Sequence, residues 1–447
     1  MRSTALQRRL LEAHRKHALG HDPKVEVKQP DKPGLLSIMG PGLITGASDD
    51  DPSGIATYSQ AGAQFGFGLG WVILFSLPLL CAIQEVSARI GRVTGRGLAG
   101  VIKLHFPRPV LIAVVGLLVV ANTINLGADL GAMAAALKLL IGGPQLAYVA
   151  AFGVGSVLLE VFMRYSRYVS ILKWLTLSLF AYVAVAFVVK TPWATVGYHL
   201  LAPNITLEAG YLTMVVAILG TTISPYLFFW QAEEEVEEVK ERAGAKPLIR
   251  APDQARAEFR RIRIDTYVGM AFAHLVALFI IISTAVTLHA HGVTDIRTSA
   301  DAALALKPIA GPFVFLVFAL GIIGTGLLGL PILAGSAAFA LGETFGWHVG
   351  LARTPRRAPA FYATIAAATL VGIGLNFSAI DPIKALFWSA VVNGVVATPI
   401  MVMMMVLSSS RKVMGDFTLP GGLKIVGWIA TGVMLLASVG MFATWGR

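Results

Sequence analysis

Three consecutive carboxylates, Asp49, Asp50 and Asp51, stand inside a stretch otherwise built for lipid. Leu35 to Ala47 carries no charge, and neither does Ile55 to Trp71. An acidic residue at the centre of a membrane-spanning helix costs roughly 2.5–3.5 kcal/mol, so three in a row need a use. Carboxylate oxygens are ligands for hard cations and partners for amines. Pro52 lacks an N–H and turns Asp51 away from helix, and Gly54 accepts almost any backbone angle. The stretch Ser48 to Gly54 therefore reads as an unwound hinge between two half-helices. Broken backbone at membrane depth persists only where protein buries it or it lines a cavity, and in transporters such breaks bind substrate and ions. One of the acids has an alternative use as the N-cap of the second half-helix, whose positive end favours a carboxylate, and so has Ser53.

A second interruption is Thr221-Thr222-Ile223-Ser224-Pro225-Tyr226, inside another apolar run. Pro225 removes a backbone donor and frees carbonyls near Thr221. Ser224 offers a hydroxyl and Thr221 a backbone carbonyl. With Asp51, Asp50, Asp49 and the open position at Gly54, they form the expected substrate or metal site.

These groups are positioned by membrane helices. The chain has 447 residues, of which 56% are hydrophobic and only 14% charged; soluble proteins have about 25% charged. Windows of about 20 apolar residues mark eleven spans, near 35–65, 68–90, 109–140, 145–163, 169–190, 210–231, 264–289, 311–342, 359–377, 382–408 and 421–445. The net charge of +11 is not a nucleic-acid footprint. With the N-terminus inside, thirty of the 36 Lys and Arg fall in inner segments and six in outer ones, the positive-inside pattern. That arrangement puts the C-terminus outside, in a bacterial-type inner (plasma) membrane. Residues 1–33 are polar, lack the apolar core of a signal peptide, and are expected to form a cytoplasmic tail. The single cysteine, Cys81, excludes a disulfide network or a cysteine-rich metal site.

The breaks lie in spans one and six. Five spans separate them, and an odd number inverts the topology. Paired broken helices in two inverted halves mark a midplane transport site. The expected fold is all-α and LeuT-type: residues 34–190 form repeat one, 209–408 repeat two, and 421–445 an extra helix, all in one transporter domain from 34 to 447.

Other polar residues within spans are candidates too. Asn122, Asn125 and Asp129 share one face of the third span, which suits either an aqueous route or interhelical hydrogen bonding. Asn393 lies in the tenth span. Met401, Met403, Met404 and Met405 read as packing, and His289 and His291 as surface residues. Glu233 to Glu238 reads as a solvated extension of the sixth span.

Several pieces in order resemble the Nramp divalent-metal transporters. Gly40-Pro41-Gly42 with Asp51-Pro52 is similar to the family's first span. Ala61-Gly62-Ala63 to Trp71 and Ser87-Ala88-Arg89-Ile90-Gly91-Arg92-Val93-Thr94-Gly95 resemble its second span and following loop. Ala128-Asp129-Leu130-Gly131 is similar to its third-span motif, and Arg411-Lys412-Val413-Met414-Gly415 to the loop after its tenth. The departures fall at the chemistry. The family's Asp-Pro-Gly-Asn becomes Asp51-Pro52-Ser53-Gly54, which keeps the Asp ligand and loses the Asn. Its Met-Pro-His becomes Ser224-Pro225-Tyr226, and the Glu of its third-span proton route becomes Ala132. Such losses resemble Nramp-related magnesium transporters.

The resemblance implies a secondary-active transporter or facilitator of divalent cations, Mg²⁺ or Mn²⁺, working by alternating access with weak or no proton coupling. Tyr226 has a reference pKa near 10 and suits proton carriage poorly. The replacement of Asn by Gly54 predicts a roomier pocket. A transporter of a small organic solute, or a non-transporting sensor, remains open on the same scaffold. No cofactor is expected beyond the divalent cation as substrate, the partner is the lipid bilayer, and no nucleotide or nucleic-acid motif points to an enzyme or pump.

Overall fold

The computed structural model describes Gly46 and residues 49–162, 178–242, 244–351, 353–378 and 380–445. The expected N-terminal tail, most of the first span before its break and the start of the fifth lie outside the described residues. The helices that matter here are α1 (Pro52–Phe65), α2 (Gly70–Thr94), α3 (Leu98–His105), α4 (Arg108–Ile141), α5 (Gln145–Phe162), α6 (Phe180–Val188) and α7 (Trp193–Leu201). They continue as α8 (Ala209–Thr222), α9 (Pro225–Glu241), α10 (Ala255–Thr287), α11 (Val314–Phe345), α12 (Pro359–Leu375), α13 (Pro382–Ser408) and α14 (Gly421–Thr444). No strand occurs among the described residues. Eight helical segments are long and apolar enough to cross a membrane, and α12 is a shorter apolar helix. With α1 and α6, the described parts of spans one and five, they occupy the eleven expected positions.

Lipid tails are as apolar as leucine, so these helices associate through close backbone contact at small residues and through interhelical hydrogen bonds. α4 packs on α5, α11, α12 and α13. Gly127 of α4 meets Gly372 of α12, where a Cβ would come within 3.0 Å of the Gly372 carbonyl oxygen. Gly220 of α8 presses against Ala390 and Gly394 of α13, leaving no room for a Cβ. Gly220→Ala is therefore an overpacking change of about 1–3 kcal/mol. In detergent it should melt several degrees below the parent, while Gly432→Ala, which meets nothing within 4 Å, should melt with it. Equal melting of both variants would contradict this close contact.

The methionines of α13 are buried, and the Met405 thioether rests on Gly427 of α14, so they pack as expected. Both histidines are exposed, as expected, and His289 also uses Nδ1 to bond the Ala63 carbonyl at 2.8 Å and holds its ring beside Gly66.

The acidic run of the sixth span continues the helix to Glu241, yet it is not the solvated face its composition suggested. Glu233 and Glu235 are buried. Arg261 of α10 bonds Glu235 at 2.5 Å, Glu238 at 3.0 Å and Glu258 at 2.9 Å. Glu258 also meets Arg92 of α2 at 3.2 Å and Arg242 at 3.0 Å. The run ties α9 to α10 through Arg261, and Glu258 of α10 extends the ionic cluster to Arg92 of α2; local composition could not reveal this, because Arg261 and Arg92 come from elsewhere in the chain.

Candidate functional site

The first span restarts at Pro52. Asp51 has extended backbone (φ −67°, ψ 172°) and is the N-cap of α1, with Pro52 at the first helical position where its missing N–H costs nothing. Its Oδ1 accepts the Gly54 N–H at 2.8 Å. The sixth span breaks at Ile223 and Ser224, between α8 and α9, with Pro225 opening α9. Both interruptions expected from the sequence are therefore present where described, and both are buried.

Asp51 is the hub at the meeting of these breaks. Its Oδ2 accepts the Tyr226 hydroxyl from the first turn of α9 at 3.1 Å and the Asn125 amide from α4 at 3.1 Å. The same Asn125 nitrogen reaches Asp129 Oδ2 at 3.4 Å. Asn125 is held from behind, because Ser389 of α13 donates to its Oδ1 at 2.7 Å. Ser389 and Ser53 lie 3.2 Å apart, and Ser53 donates to the Leu386 carbonyl at 3.0 Å. Spans one, three, six and ten thus meet in one hydrogen-bonded set. On the eighth span, a Cβ at Gly329 of α11 would lie 3.4 Å from Asp51 Cβ and 3.9 Å from Asp129 Oδ2, so that helix walls the same spot.

Several expected residues sit differently. Gly54 leaves no open space: a Cβ there would come within 3.2 Å of Thr221 Oγ1, 3.2 Å of Tyr58 and 3.3 Å of the Asp49 carbonyl oxygen. The expectation of a roomier pocket at Gly54 is corrected accordingly, since the neighbours have closed in. The Thr221 carbonyl is not left free by the break, because the Ser224 hydroxyl donates to it and to the Gly220 carbonyl, both at 2.8 Å. Each oxygen retains a lone pair, so both can still act as ligands. Asp49 and Asp50 are buried, and Asp49 Oδ1 and Oδ2 and Asp50 Oδ1 have no hydrogen-bond partner among the described residues. No three histidine, cysteine or carboxylate side chains converge as a metal cluster among the described residues.

Asn122 and Asn125 part company. Asn122 donates to the Leu333 carbonyl at 2.9 Å and Ser336 at 2.8 Å, joining α4 to α11 rather than approaching Asp51. Asn393 is buried one turn beyond Ser389, with its Oδ1 unpartnered among the described residues. Sequence reasoning missed Ser389 and Gly329, as neither residue type stands out in an apolar helix. The one available signal for Ser389 was its four-residue spacing to Asn393.

Residues 42–444 match the family described as natural resistance-associated macrophage protein-like, or Nramp. The chain belongs to the Nramp family. Nramp proteins are divalent-metal transporters rather than enzymes, and this chain is an integral membrane transporter. Among solved structures it is similar to the Eremococcus coleocola manganese transporter in complex with an aromatic bis-isothiourea compound, with TM-score 0.72 and 18% identity over 95% of this chain and 90% of that one. It is also similar to MhsT in complex with L-phenylalanine, with TM-score 0.60 and 15% identity over 93% of this chain and 100% of that one. The nucleobase-cation-symport-1 transporter Mhp1, closed with bromovinylhydantoin bound, matches with TM-score 0.58 and 14% identity over 91% and 92%. At such identities the likeness is one of fold, and the fold is LeuT-type with inverted repeats of spans 1–5 and 6–10.

Proposed function

We propose that this Nramp protein carries hard divalent cations, Mg²⁺ and Mn²⁺, by alternating access around Asp51, with little or no proton coupling. The observation that carries the reading is the Asp51 carboxylate at the crossing of both breaks. It is held by the Tyr226 hydroxyl, the Asn125 amide and the Gly54 N–H, and the sixth-span break carries the Ser224 hydroxyl where the family has a thioether. Thioethers favour soft ions, whereas carboxylate, carbonyl and water suit Mg²⁺ and Mn²⁺. Mg²⁺ binds through one or two carboxylates and keeps several waters. Residues 34–190 and 209–408 act as the two rocking repeats, in an inner membrane with the N-terminus cytoplasmic and the C-terminus outside. Tyr226 takes part by holding Asp51, not by carrying a proton.

Flux into proteoliposomes with Mg²⁺, Mn²⁺, Ca²⁺ and Cd²⁺, with a pH dye inside, tests this. Mg²⁺ and Mn²⁺ should enter without acidification, and Cd²⁺ should have no advantage. Ser224→Met should improve Cd²⁺ competition by about tenfold, equivalent to about 1.4 kcal/mol. The partner substitution Gly54→Asn is a poor addition, since the neighbours of Gly54 leave little room for a side chain. Tight Cd²⁺ binding with no response to Mg²⁺ would refute the hard-ion reading, and silence with all four ions would favour an organic solute.

A further inference from the structure

We propose that Asp129 of the third span is a second anionic ligand of the transported cation, paired with Asp51. The inference rests on the cation-transport reading above and deepens it.

Asp51 Oδ2 and Asp129 Oδ2 share a single donor atom, Asn125 Nδ2, at 3.1 and 3.4 Å. Both carboxylates are buried, at 1% and 0% exposure. Neither forms an ion pair with a lysine, arginine or histidine among the described residues. Asp129 Oδ1, fully enclosed, lacks any partner of hydrogen-bond geometry there. The start of α1, whose Ser53 N–H faces both carboxylates, contributes the partial positive charge of a helix N-terminus. That partial charge, the Gly54 N–H and Tyr226 hydroxyl on Asp51, and one shared amide bring no full positive charge, and fall short of balancing two carboxylates in a low-dielectric interior, where uncompensated charge is costly. A divalent cation between them supplies the missing charge.

The arrangement also answers a deficiency of the first span. Gly54 contributes no ligand atom from a side chain, and Asp129 restores an oxygen from a different helix. Two carboxylates together neutralise one divalent ion, and that ligand count is the usual one for Mg²⁺ with retained waters. Gly329 keeps α11 close without placing a side chain over the pair. Asn125, fixed by Ser389, then serves as a positioning residue that holds the two acids in register before the ion arrives.

Calorimetry on the purified full-length chain tests this with MgCl₂ and MnCl₂, using the parent, Asp129→Asn and Asp129→Glu. Asp129→Asn keeps the shape and an acceptor for Asn125 but removes the charge, and should weaken both ions by about 30-fold. Asp129→Glu should retain more affinity than the amide. A parallel infrared difference spectrum of the parent on adding Mn²⁺, with ¹³C-labelled aspartate, needs no variant and should show two aspartate carboxylates perturbed. Affinity within about threefold of the parent in a folded Asp129→Asn protein, or a single perturbed aspartate in the parent, would overturn the proposal while leaving the cation reading intact. No heat and no infrared change with either ion in the parent would overturn the cation reading itself, and the paired site with it.

Discussion

Asp51→Asn removes divalent-cation binding: affinity for Mg²⁺ and Mn²⁺ falls by about 100-fold or more, equivalent to about 2.8 kcal/mol. The carboxylate is the charged group that both breaks present to one point, and the amide retains its shape without its charge. Asn is as good an N-cap as Asp, so the Gly54 N–H keeps an acceptor and the start of α1 is preserved. Alanine is the harsher probe. It strips the cap, at about 1 kcal/mol, and leaves the buried Tyr226 hydroxyl without its acceptor, at about 1–3 kcal/mol, while the Asn125 amide keeps only its longer contact to Asp129. Asp51→Ala should therefore lose both binding and thermal stability, whereas Asp51→Asn should lose binding alone. Calorimetry beside a melting curve in detergent separates the two, and normal binding by a well-folded Asp51→Asn protein would remove Asp51 from the site.

Glu258→Ala should be the most destabilising single change in the ionic cluster of α2, α9 and α10. Glu258 holds three arginines, and one of them, Arg92, has a fully buried guanidinium whose nitrogens make no hydrogen bond among the described residues. Its ion pair with Glu258 is its electrostatic compensation. Breaking a buried pair by removing one partner costs about 3–5 kcal/mol, because the other charge stays buried. Arg242→Ala is the control: its side chain is 56% exposed, and exposed pairs contribute about 0–1 kcal/mol. Melting temperatures in detergent should fall well below the parent for Glu258→Ala and stay near it for Arg242→Ala. Equal melting of the two variants would mean that Arg92 finds another partner or water.

The fold was legible in the sequence because the signals that set it are coarse and local. Lipid demands about 20 apolar residues per span. Pro52 and Pro225 disfavour helix at the residue before them; Pro78, Pro331 and Pro399 stay inside continuous helices, so it was the polar residues beside Pro52 and Pro225 that marked the breaks. The hub was half legible. Asp51 stood out because a membrane carboxylate beside a proline is costly to keep, and Asn125 and Asp129 because their spacing puts them on one face. What those residues touch was not legible. Ser389 reaches Asn125 from 264 positions away, and a lone serine in an apolar helix carries no mark of its partner. Gly54 misled for a related reason: the absence of a side chain predicts space only if the neighbours stay back, and here Thr221 and Tyr58 fill it. The acidic run misled because Arg261, which pairs with Glu235 and Glu238, comes from a different helix, so local composition saw only unpaired charge.

The central claim is that a cation sits at the crossing of the two breaks, on Asp51. Anomalous scattering from crystals of the full-length protein soaked in Mn²⁺ tests it most directly. The account predicts one strong peak within about 2.0–2.6 Å of an Asp51 oxygen, the range of Mg²⁺ and Ca²⁺ oxygen ligation, on the side facing Asp129. A peak only elsewhere, such as beside the buried Glu233, or no peak in protein that calorimetry shows to bind Mn²⁺, would contradict it.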